Sequence, residues 1–232
     1  MIDIHCHILP FVDDGSNSLD ESIKLIKMQK AQGIDVIVAT THFYINEQSV
    51  DNFLIKRNAS FRMLQEKLPK NSPKILLGAE VNYYEGISKL DELEKLCIEG
   101  TNFLLLEMPF KEWTDYSINE ILRIQSSKKV KLILAHIERY IKYQKNKQFI
   151  EKFISNSILI QSNANFFNNF STKYKAIKML KNGTIQLIGT DSHNIKHRPP
   201  TMDKATNYIN KKLGNDFLKN LNDFENSLLN IK

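Results

Sequence analysis

Cysteine, tryptophan and long apolar runs are all scarce in this chain of 232 residues. Its two cysteines, Cys6 and Cys97, are too few for the disulfide framework that stabilises small secreted proteins. No apolar run approaches the roughly 20 residues of a membrane-spanning helix, and the first residues resemble a strand rather than a signal peptide. We therefore expect a reduced, cytoplasmic protein that does not insert into a membrane.

Glycine-rich loops are missing as well. The chain has eight glycines, and no predicted strand is followed by the glycine-rich turn with which open sheets bind nucleotides. Basic side chains outnumber acidic ones by 32 to 26, which gives a net charge of +6. Lysines are scattered along the chain, and no basic patch is interleaved with aromatic residues. The charge therefore favours a solvated surface over a nucleic-acid interface, although it also suits an anionic substrate.

The chain does contain a regular alternation of apolar strand patterns with helical patterns. Runs rich in Ile, Leu and Val, without polar alternation, are typical of strands buried on both faces. The predicted strands are Ile2–His5, Ile34–Ala39, Ile75–Val81, Phe103–Met108, Leu132–Ala135, Ile158–Gln161 and Ile185–Ile188. Helices are predicted from the cap Ser18 to about Gly33, from about Ser49 to Pro69, and at Lys89–Ile98, Ser117–Gln125, Lys147–Ser155, Thr172–Leu180 and Met202–Leu229. This alternation predicts an α/β protein with parallel strands, and we expect a barrel of about seven strands rather than an open doubly wound sheet.

Ionisable side chains follow six of the seven predicted strands. These side chains are His5, His7, His42, Glu80, Glu107, His136, Asp191 and His193. The sixth strand ends instead in the polar but uncharged Gln161-Ser162-Asn163. Because the carboxyl ends of barrel strands converge on one site, these groups are expected to lie together, where a metal cluster would offset the cost of burying them.

Each of these motifs has a simpler interpretation when it is taken alone. A single histidine at a strand end is usually a hydrogen-bonded core residue, and Asp13-Asp14-Gly15 is typical of a turn. Asp191-x-His193 is compatible with a helix cap followed by a surface histidine. His5 and His7, however, share one face of a strand, and glutamates such as Glu80 and Glu107 rarely occupy apolar strands without a role. Taken jointly, the positions favour the metal site.

The same residues carry a family resemblance. MIDIHCHILPFVDDGS, LLEMP, AHIERY and TDSHNIKHRPP resemble the polymerase and histidinol phosphatase (PHP) superfamily, and within it the CpsB/YwqE-like tyrosine-protein phosphatases that regulate capsule and exopolysaccharide synthesis. The resemblance spans Met1 to about Pro200. It implies a single PHP domain over residues 1–232, built as a distorted seven-stranded (β/α) barrel, with further helices from about residue 202. Ile137 and Ser192 stand where this group commonly has proline and alanine.

The resemblance also implies a set of ligands for two or three metal ions. His5, His7, Glu80 and Asp191 would hold the first ion. Glu80 would bridge to a second, which Glu107 and His136 complete. Asp14, His42 and His193 would hold the third, with Asp14 rather than Asp13 as the aspartate that matches the family. Manganese is the expected metal, with iron or zinc as alternatives that suit the same nitrogen and oxygen donors.

The expected reaction is hydrolysis of phosphotyrosine on a protein, which the resemblance suggests is a bacterial tyrosine autokinase. A metal-activated hydroxide would attack phosphorus, Arg139 and Arg198 would bind the phosphate, and Asp14 and His42 complete the candidate catalytic residues. Neither cysteine is followed by arginine in a Cys-x5-Arg loop, which excludes that thiolate route. The aromatic residues near the strand ends, which either pack on a phosphotyrosine ring or fill the core, are Phe11, Phe43, Tyr44, Tyr83, Tyr84, Phe110 and Trp113.

Three alternatives stay open at this point. The same cluster would serve a phosphatase of small molecules such as histidinol phosphate, a PHP-type nuclease, or a regulator that keeps its metals only for structure. The complete set of ligands, together with Arg139 and Arg198, argues against the last.

Overall fold

A computed structural model gives the fold and describes residues 1–127, 129–145 and 148–231. Seven strands form one sheet in which each strand pairs in parallel with the next along the chain. The strands are β1 (Ile2–Cys6), β2 (Val36–Phe43), β3 (Lys74–Asn82), β4 (Phe103–Glu107), β5 (Lys131–Leu134), β6 (Leu159–Asn163) and β7 (Leu187–Gly189). This order confirms the seven-stranded prediction.

The two edges of the sheet approach each other, so the barrel is nearly closed. The backbone N–H of Asp191, just after β7, donates to the carbonyl of His5 over 2.7 Å. The N–H of His7 donates to the carbonyl of Ser192 over 2.8 Å. These bonds bring the first strand and the segment after the last strand side by side, which an open doubly wound sheet does not do.

Helices connect the strands. The described helices are α1 (Leu19–Ala31), α2 (Val50–Gln65), α3 (Asp115–Ser126), α4 (Ile137–Tyr140), α5 (Gln148–Ser155), α6 (Ala164–Asn168), α7 (Lys173–Lys181), α8 (Met202–Leu213) and α9 (Asn215–Leu228). Ser18 caps α1 as predicted, because its side chain accepts a hydrogen bond from the N–H of Glu21. The short helices α4 and α6 follow β5 and β6 directly and were not predicted. Within the described residues, no helix combines the length and apolarity needed to cross a bilayer.

The predicted helix at Lys89–Ile98 is wrong. Two short 3₁₀ helices, Ile87–Lys89 and Leu93–Leu96, occupy this stretch, separated by the extended backbone of Leu90. Their buried residues Ile87, Leu93 and Leu96 recur at multiples of three, which is the period of a 3₁₀ helix. The apolar pattern was therefore real, but its period was misassigned. The helix predicted to begin at Lys147 is seen from Gln148, and Lys147 lies outside the described residues.

The side chains of the strands divide into two apolar clusters. A large one lies between the sheet and the helices, and a smaller one takes alternate strand residues such as Val38, Leu105 and Ile133. In β1 this alternation is interrupted, because its register against β2 shifts between Asp3 and Cys6. Because of this shift, the consecutive side chains of Ile4 and His5 lie on the same face of the sheet. Ile4 packs in the small cluster, and His5 contacts Glu80.

Candidate metal centre

The ionisable residues predicted at the strand ends converge at the carboxyl ends of the strands. All are buried except His42, which is partly buried, and Asp14, whose side chain is 66% exposed. The residues brought together are His5, His7, Asp14, His42, Glu80, Glu107, His136, Asp191 and His193. The topology explains the convergence, because parallel strands in one sheet deliver their last side chains to one mouth of the barrel.

His5 in β1 and His7 just after it place their Nε2 atoms close together. The two atoms lie 3.2 Å apart. The Oε2 atom of Glu80 is 3.1 Å from Nε2 of His5 and 3.2 Å from Nε2 of His7. The Oδ1 atom of Asp191 is 3.6 Å from each of the same two nitrogens. Four donor atoms of the type that ligates divalent metals therefore surround one small volume.

Glu80 is central because its two oxygens face different partners. Its Oε2 atom also lies 3.1 Å from Nδ1 of His42, whereas its Oε1 atom lies 2.9 Å from Nε2 of His136. The same His136 nitrogen is 3.2 Å from Oε1 of Glu107. Asn82 holds the other oxygen of Glu107 by donating from Nδ2 over 3.1 Å. A carboxylate placed in this way is suited to bridge two cations.

A third group of donors lies on the solvent side. The Oδ1 atom of Asp14 is 3.3 Å from Nε2 of His193 and 3.5 Å from Nε2 of His42. The rings of His7 and His193 are 3.8 Å apart, and His7 has a ring nitrogen within reach of this group as well. His7 thus stands between two clusters of donors, which the sequence did not indicate.

Asp13 is a functional candidate that the sequence reasoning set aside in favour of Asp14. Its Oδ2 atom accepts from Nδ1 of His7 over 2.7 Å and from the backbone N–H of His42 over 2.9 Å. Its Oδ1 atom accepts from the N–H of Gly15 over 3.0 Å. A carboxylate that holds the far nitrogen of a histidine fixes the ring and leaves Nε2 free to ligate. Gly15 is required here, because a Cβ at that position would lie 2.4 Å from the His7 carbonyl.

The uncharged end of β6 supports the same centre. The Oε1 atom of Gln161 accepts from the backbone N–H of His136 over 2.7 Å and lies 3.3 Å from Nδ1 of His5. Its Nε2 atom donates to Asn163 over 3.0 Å, and Asn163 donates to Oδ2 of Asp191 over 2.8 Å. The sixth strand therefore orients three candidate ligands without supplying one.

The carboxylates and imidazoles perturb each other strongly. Burial lowers the pKa of His7, but Asp13 and Glu80 outweigh it and hold that pKa well above its ordinary value. Burial likewise opposes protonation of His136, whose pKa Glu107 and Glu80 nevertheless raise to about 9. Burial raises the pKa of Glu80, yet the neighbouring histidines hold it well below the usual range. The centre therefore concentrates negative charge that attracts cations, protons included.

Several buried atoms fit a metal better than they fit hydrogen bonds. Among the described residues, Oε2 of Glu80 has no aligned hydrogen-bond partner, although three imidazole nitrogens lie within 3.2 Å of it. The buried Nε2 atom of His193 likewise has no aligned hydrogen-bond partner among the described residues. Unpaired polar atoms at this depth are costly, and a divalent cation is the group that nitrogen and carboxylate donors share. The residues present therefore fit a metal centre.

The two arginines predicted to bind phosphate lie at this centre. The guanidinium of Arg139 donates to Oδ2 of Asp191, and Nη2 of Arg198 lies 2.7 Å from the same oxygen. Their side chains are 34% and 35% exposed. Asp191 thus holds both cations at the rim while its other oxygen faces the histidines. Each arginine keeps about a third of its side chain exposed to solvent.

The aromatic residues named from the sequence separate into two kinds. Phe43, Tyr83 and Trp113 are buried in the apolar core and are not available to a substrate. Phe11 and Phe110 are 59% and 45% exposed. Phe110 stacks beside His136, whereas Phe11 lines an open cavity together with His42 and Tyr44.

A parallel (β/α) barrel with a buried cluster of histidines and carboxylates at the carboxyl ends of its strands is typical of metal-dependent hydrolases. The family model for capsular polysaccharide synthesis proteins of the CpsB/CapC type matches residues 1–229. The chain belongs to this CpsB/CapC family.

Individual relatives agree with this assignment. The tyrosine-protein phosphatase CpsB of Streptococcus pneumoniae is 30% identical over 234 residues, which cover 92% of this chain and 91% of CpsB. The tyrosine-protein phosphatase YwqE of Bacillus subtilis is 27% identical over 224 residues, which cover 93% of this chain and 86% of YwqE. A crystal structure from work on YwqE and CpsB, described there as metal-dependent tyrosine phosphatases, aligns with a TM-score of 0.83 at 24% identity. It covers 100% of this chain and 95% of its own, and it shows the same fold.

Proposed function

We propose that this protein is a metal-dependent protein-tyrosine phosphatase. It is a phosphomonoesterase that hydrolyses phosphotyrosine on a protein partner. The observation that carries the proposal is the buried cluster around Glu80, whose Oε2 atom has imidazole nitrogens of His5, His7 and His42 within 3.2 Å. Membership of the CpsB/CapC family supports the substrate class, because the relatives in that family are named as tyrosine-protein phosphatases.

The proposed ligand sets follow the three groups of donors. His5, His7, Glu80 and Asp191 would hold one ion, and Glu80, Glu107 and His136 would hold a second. Asp14, His42 and His193 would hold a third, with His7 close enough to contribute. Manganese is the proposed metal, with iron or zinc as alternatives, since the donors are imidazoles and carboxylates without a thiolate.

Divalent ions bound at this centre supply two effects, a lowered pKa of water and neutralisation of charge on phosphate oxygens. The side chains of the protein supply position. Arg139 and Arg198 present guanidinium groups to the phosphate from the rim, where Asp191 holds both. Asp13 and Gln161 fix the rings of His7 and His5. A phenolate with a conjugate-acid pKa of about 10 is a better leaving group than an alkoxide, so the reaction needs little help from a general acid.

The proposed partner is a bacterial tyrosine autokinase, and the proposed setting is control of capsular or exopolysaccharide synthesis in the cytoplasm. The family model describes proteins of capsular polysaccharide synthesis, which supports the setting. The named phosphatase relatives support a phosphotyrosine protein as the substrate. We further propose that residues 1–232 act as a single catalytic domain, because one nearly closed barrel supplies all the candidate ligands.

A panel of substrates tests this function. Purified protein supplied with Mn²⁺ is assayed with a phosphotyrosine peptide, a phosphoserine peptide of the same sequence, histidinol phosphate and single-stranded DNA. We expect release of phosphate from the phosphotyrosine peptide and little turnover of the others. A preference for histidinol phosphate, or cleavage of the DNA, would replace the proposed substrate with one of the alternatives.

A further inference from the structure

An open cavity adjoins the solvent side of the metal centre. Its volume is about 680 Å³, and its lining includes Phe11, Asp14, His42 and Tyr44. Two of these residues, Asp14 and His42, are candidate ligands, so the cavity opens directly onto the metal centre. A cavity of this size accommodates an aromatic ring with part of a peptide.

Phe11 is held in the wall of the cavity in an unusual conformation. Its φ angle is 63°, in the left-handed region that a residue with a Cβ rarely adopts. Its side chain is nevertheless 59% exposed, so burial of the ring does not compensate for the strain. A strained backbone that presents an apolar ring to solvent points to a role in binding rather than in packing.

The loop that carries Phe11 is fixed at several points. The N–H of Phe11 donates to the carbonyl of Ser16, and the N–H of Ser16 donates to the carbonyl of His7, each over 3.1 Å. Ser60 donates to the carbonyl of Pro10 over 2.6 Å, and Lys56 donates to that of Val12 over 2.8 Å. The ring is therefore presented by a preorganised loop, which reduces the entropic cost of binding.

Tyr44, the residue that follows the last residue of β2, lines the same cavity. Its ring lies 5.4 Å from the ring of His42, and it is only partly buried. His42 is the residue that links this cavity to Glu80. An aromatic ring bound between the loop and the end of β2 would contact Phe11 and Tyr44 beside the candidate ligand His42.

We propose that this cavity is the aryl subsite of the enzyme, in which Phe11 and Tyr44 pack against the ring of an aryl phosphate ester in a peptide. This assignment rests on the proposed function and adds to it the residues that select an aryl ester over an alkyl ester. Aromatic pairs are worth enough beyond their buried area to change affinity by about threefold to tenfold each.

Binding and turnover are measured with Phe11→Ala, Phe11→Tyr, Tyr44→Ala, the exposed alternative Phe110→Ala and the control Phe170→Ala. Phe170 is 78% exposed and is not part of the cavity lining, so it matches Phe11 in residue type and exposure. The probes are a peptide with the non-hydrolysable phosphonomethyl-phenylalanine, a phosphoserine peptide of the same sequence, and inorganic phosphate. Calorimetry on the Mn²⁺-loaded protein gives each Kd, and kcat and KM are measured with the phosphotyrosine peptide.

We expect Phe11→Ala and Tyr44→Ala to weaken binding of the aryl peptide by about threefold to tenfold and to raise KM, with inorganic phosphate unaffected. Phe11→Tyr keeps the ring and should restore affinity, and Phe170→Ala should match the wild type. Unchanged affinity for the aryl peptide in both alanine variants would overturn the subsite. Equal weakening for inorganic phosphate, or an effect of Phe110→Ala in their place, would do so as well.

The wild-type protein separates this proposal from the function on which it rests. If it prefers the phosphoserine peptide or histidinol phosphate, the proposed function fails. If it prefers phosphotyrosine while the Phe11 and Tyr44 variants bind the aryl peptide normally, only the subsite fails.

Discussion

The Nδ1 atom of His7 and the Oδ2 atom of Asp13 lie 2.7 Å apart in the interior of the protein. The pair fixes the tautomer of His7, because Nδ1 donates to the carboxylate and Nε2 is left to face Glu80. Asp13 is bound in turn by the backbone N–H groups of Gly15 and His42. The loop after β1 therefore orients the candidate ligand His7 through its Nδ1 atom.

Replacement of Asp13 by asparagine should weaken metal binding. Loss of a carboxylate partner behind a ligating histidine typically costs 10- to 100-fold in metal affinity, and we expect a loss in this range. Competition with a fluorescent chelator gives the affinity directly, without reference to turnover. The control is Asp20→Asn at the exposed start of α1. Wild-type affinity in the Asp13 variant would show that His7 needs no orienting partner.

Each arginine at the rim should contribute to phosphate binding. A hydrogen bond to a charged group is worth about 1.5–3 kcal/mol, so Arg198→Met should raise the KM for a phosphotyrosine peptide by roughly 10- to 100-fold. Arg139→Met should act in the same direction. Inhibition by inorganic phosphate should weaken in parallel.

Because both arginines also contact Asp191, a second variant separates the two roles. Arg198→Lys keeps a charge near Asp191 but loses the planar fork. We expect it to bind metal normally while phosphate affinity stays low. Full recovery of KM in the lysine variant would contradict a bidentate phosphate contact.

Substitutions of His136, a candidate ligand, and of Cys6, a buried thiol, should have opposite effects on turnover. His136→Ala should abolish turnover, because its Nε2 atom lies between Glu80 and Glu107. Cys6→Ser should retain most of it, since Cys6 lies in the outer core with its Sγ atom 3.5 Å from the carbonyl of Val38. Burial raises the pKa of the Cys6 thiol well above its ordinary value, which leaves it inert. Loss of turnover in Cys6→Ser, with the fold intact by circular dichroism, would contradict this prediction and assign Cys6 a chemical role.

Glu225 on α9 gives a prediction about stability. Burial raises the pKa of its carboxyl group to about 8, although a hydrogen bond from the backbone of Ile188 acts to lower that pKa. The folded state therefore favours the protonated acid, whereas an unfolded chain titrates near 4.3. Stability from this group is present below about pH 4.3 and is lost as the pH rises towards 8.

Glu225→Gln keeps a neutral acceptor for the Ile188 N–H and should remove this dependence. We expect its free energy of unfolding to exceed that of the wild type at pH 8 by an amount on the order of a few kcal/mol, with a much smaller difference near pH 5. Urea denaturation at the two pH values measures this. Glu151→Gln, on the exposed side of α5, is the control. A constant difference between Glu225→Gln and wild type at both pH values would contradict the raised pKa.

The barrel and the positions of its candidate ligands were predictable because both depend on local patterns. Apolar runs followed by an ionisable residue mark the end of each strand, and parallel topology then brings those ends together. The histidines at positions 5, 42 and 136 were located in this way. The helix at Lys89–Ile98 was mispredicted because a short apolar segment is compatible with more than one period.

The supporting residues could not be predicted in the same way. Asp13 looks like part of a turn, and Gln161 like the polar end of a strand, until the loop and β6 are packed against His7 and His5. Their roles depend on contacts between segments far apart in the chain. A signal did exist for Gln161, since the sixth strand ended in polar uncharged residues where the other strands ended in candidate ligands, but it did not specify the partner of Gln161.

Restoration of phosphotyrosine turnover by metal tests the central claim most directly. Protein stripped with a chelator and passed into metal-free buffer is titrated with Mn²⁺, and bound metal is counted alongside release of phosphate from a phosphotyrosine peptide. We predict no turnover in the stripped protein, recovery as two or three ions bind, and no recovery in His136→Ala. Undiminished turnover in stripped protein that holds no metal would contradict the account.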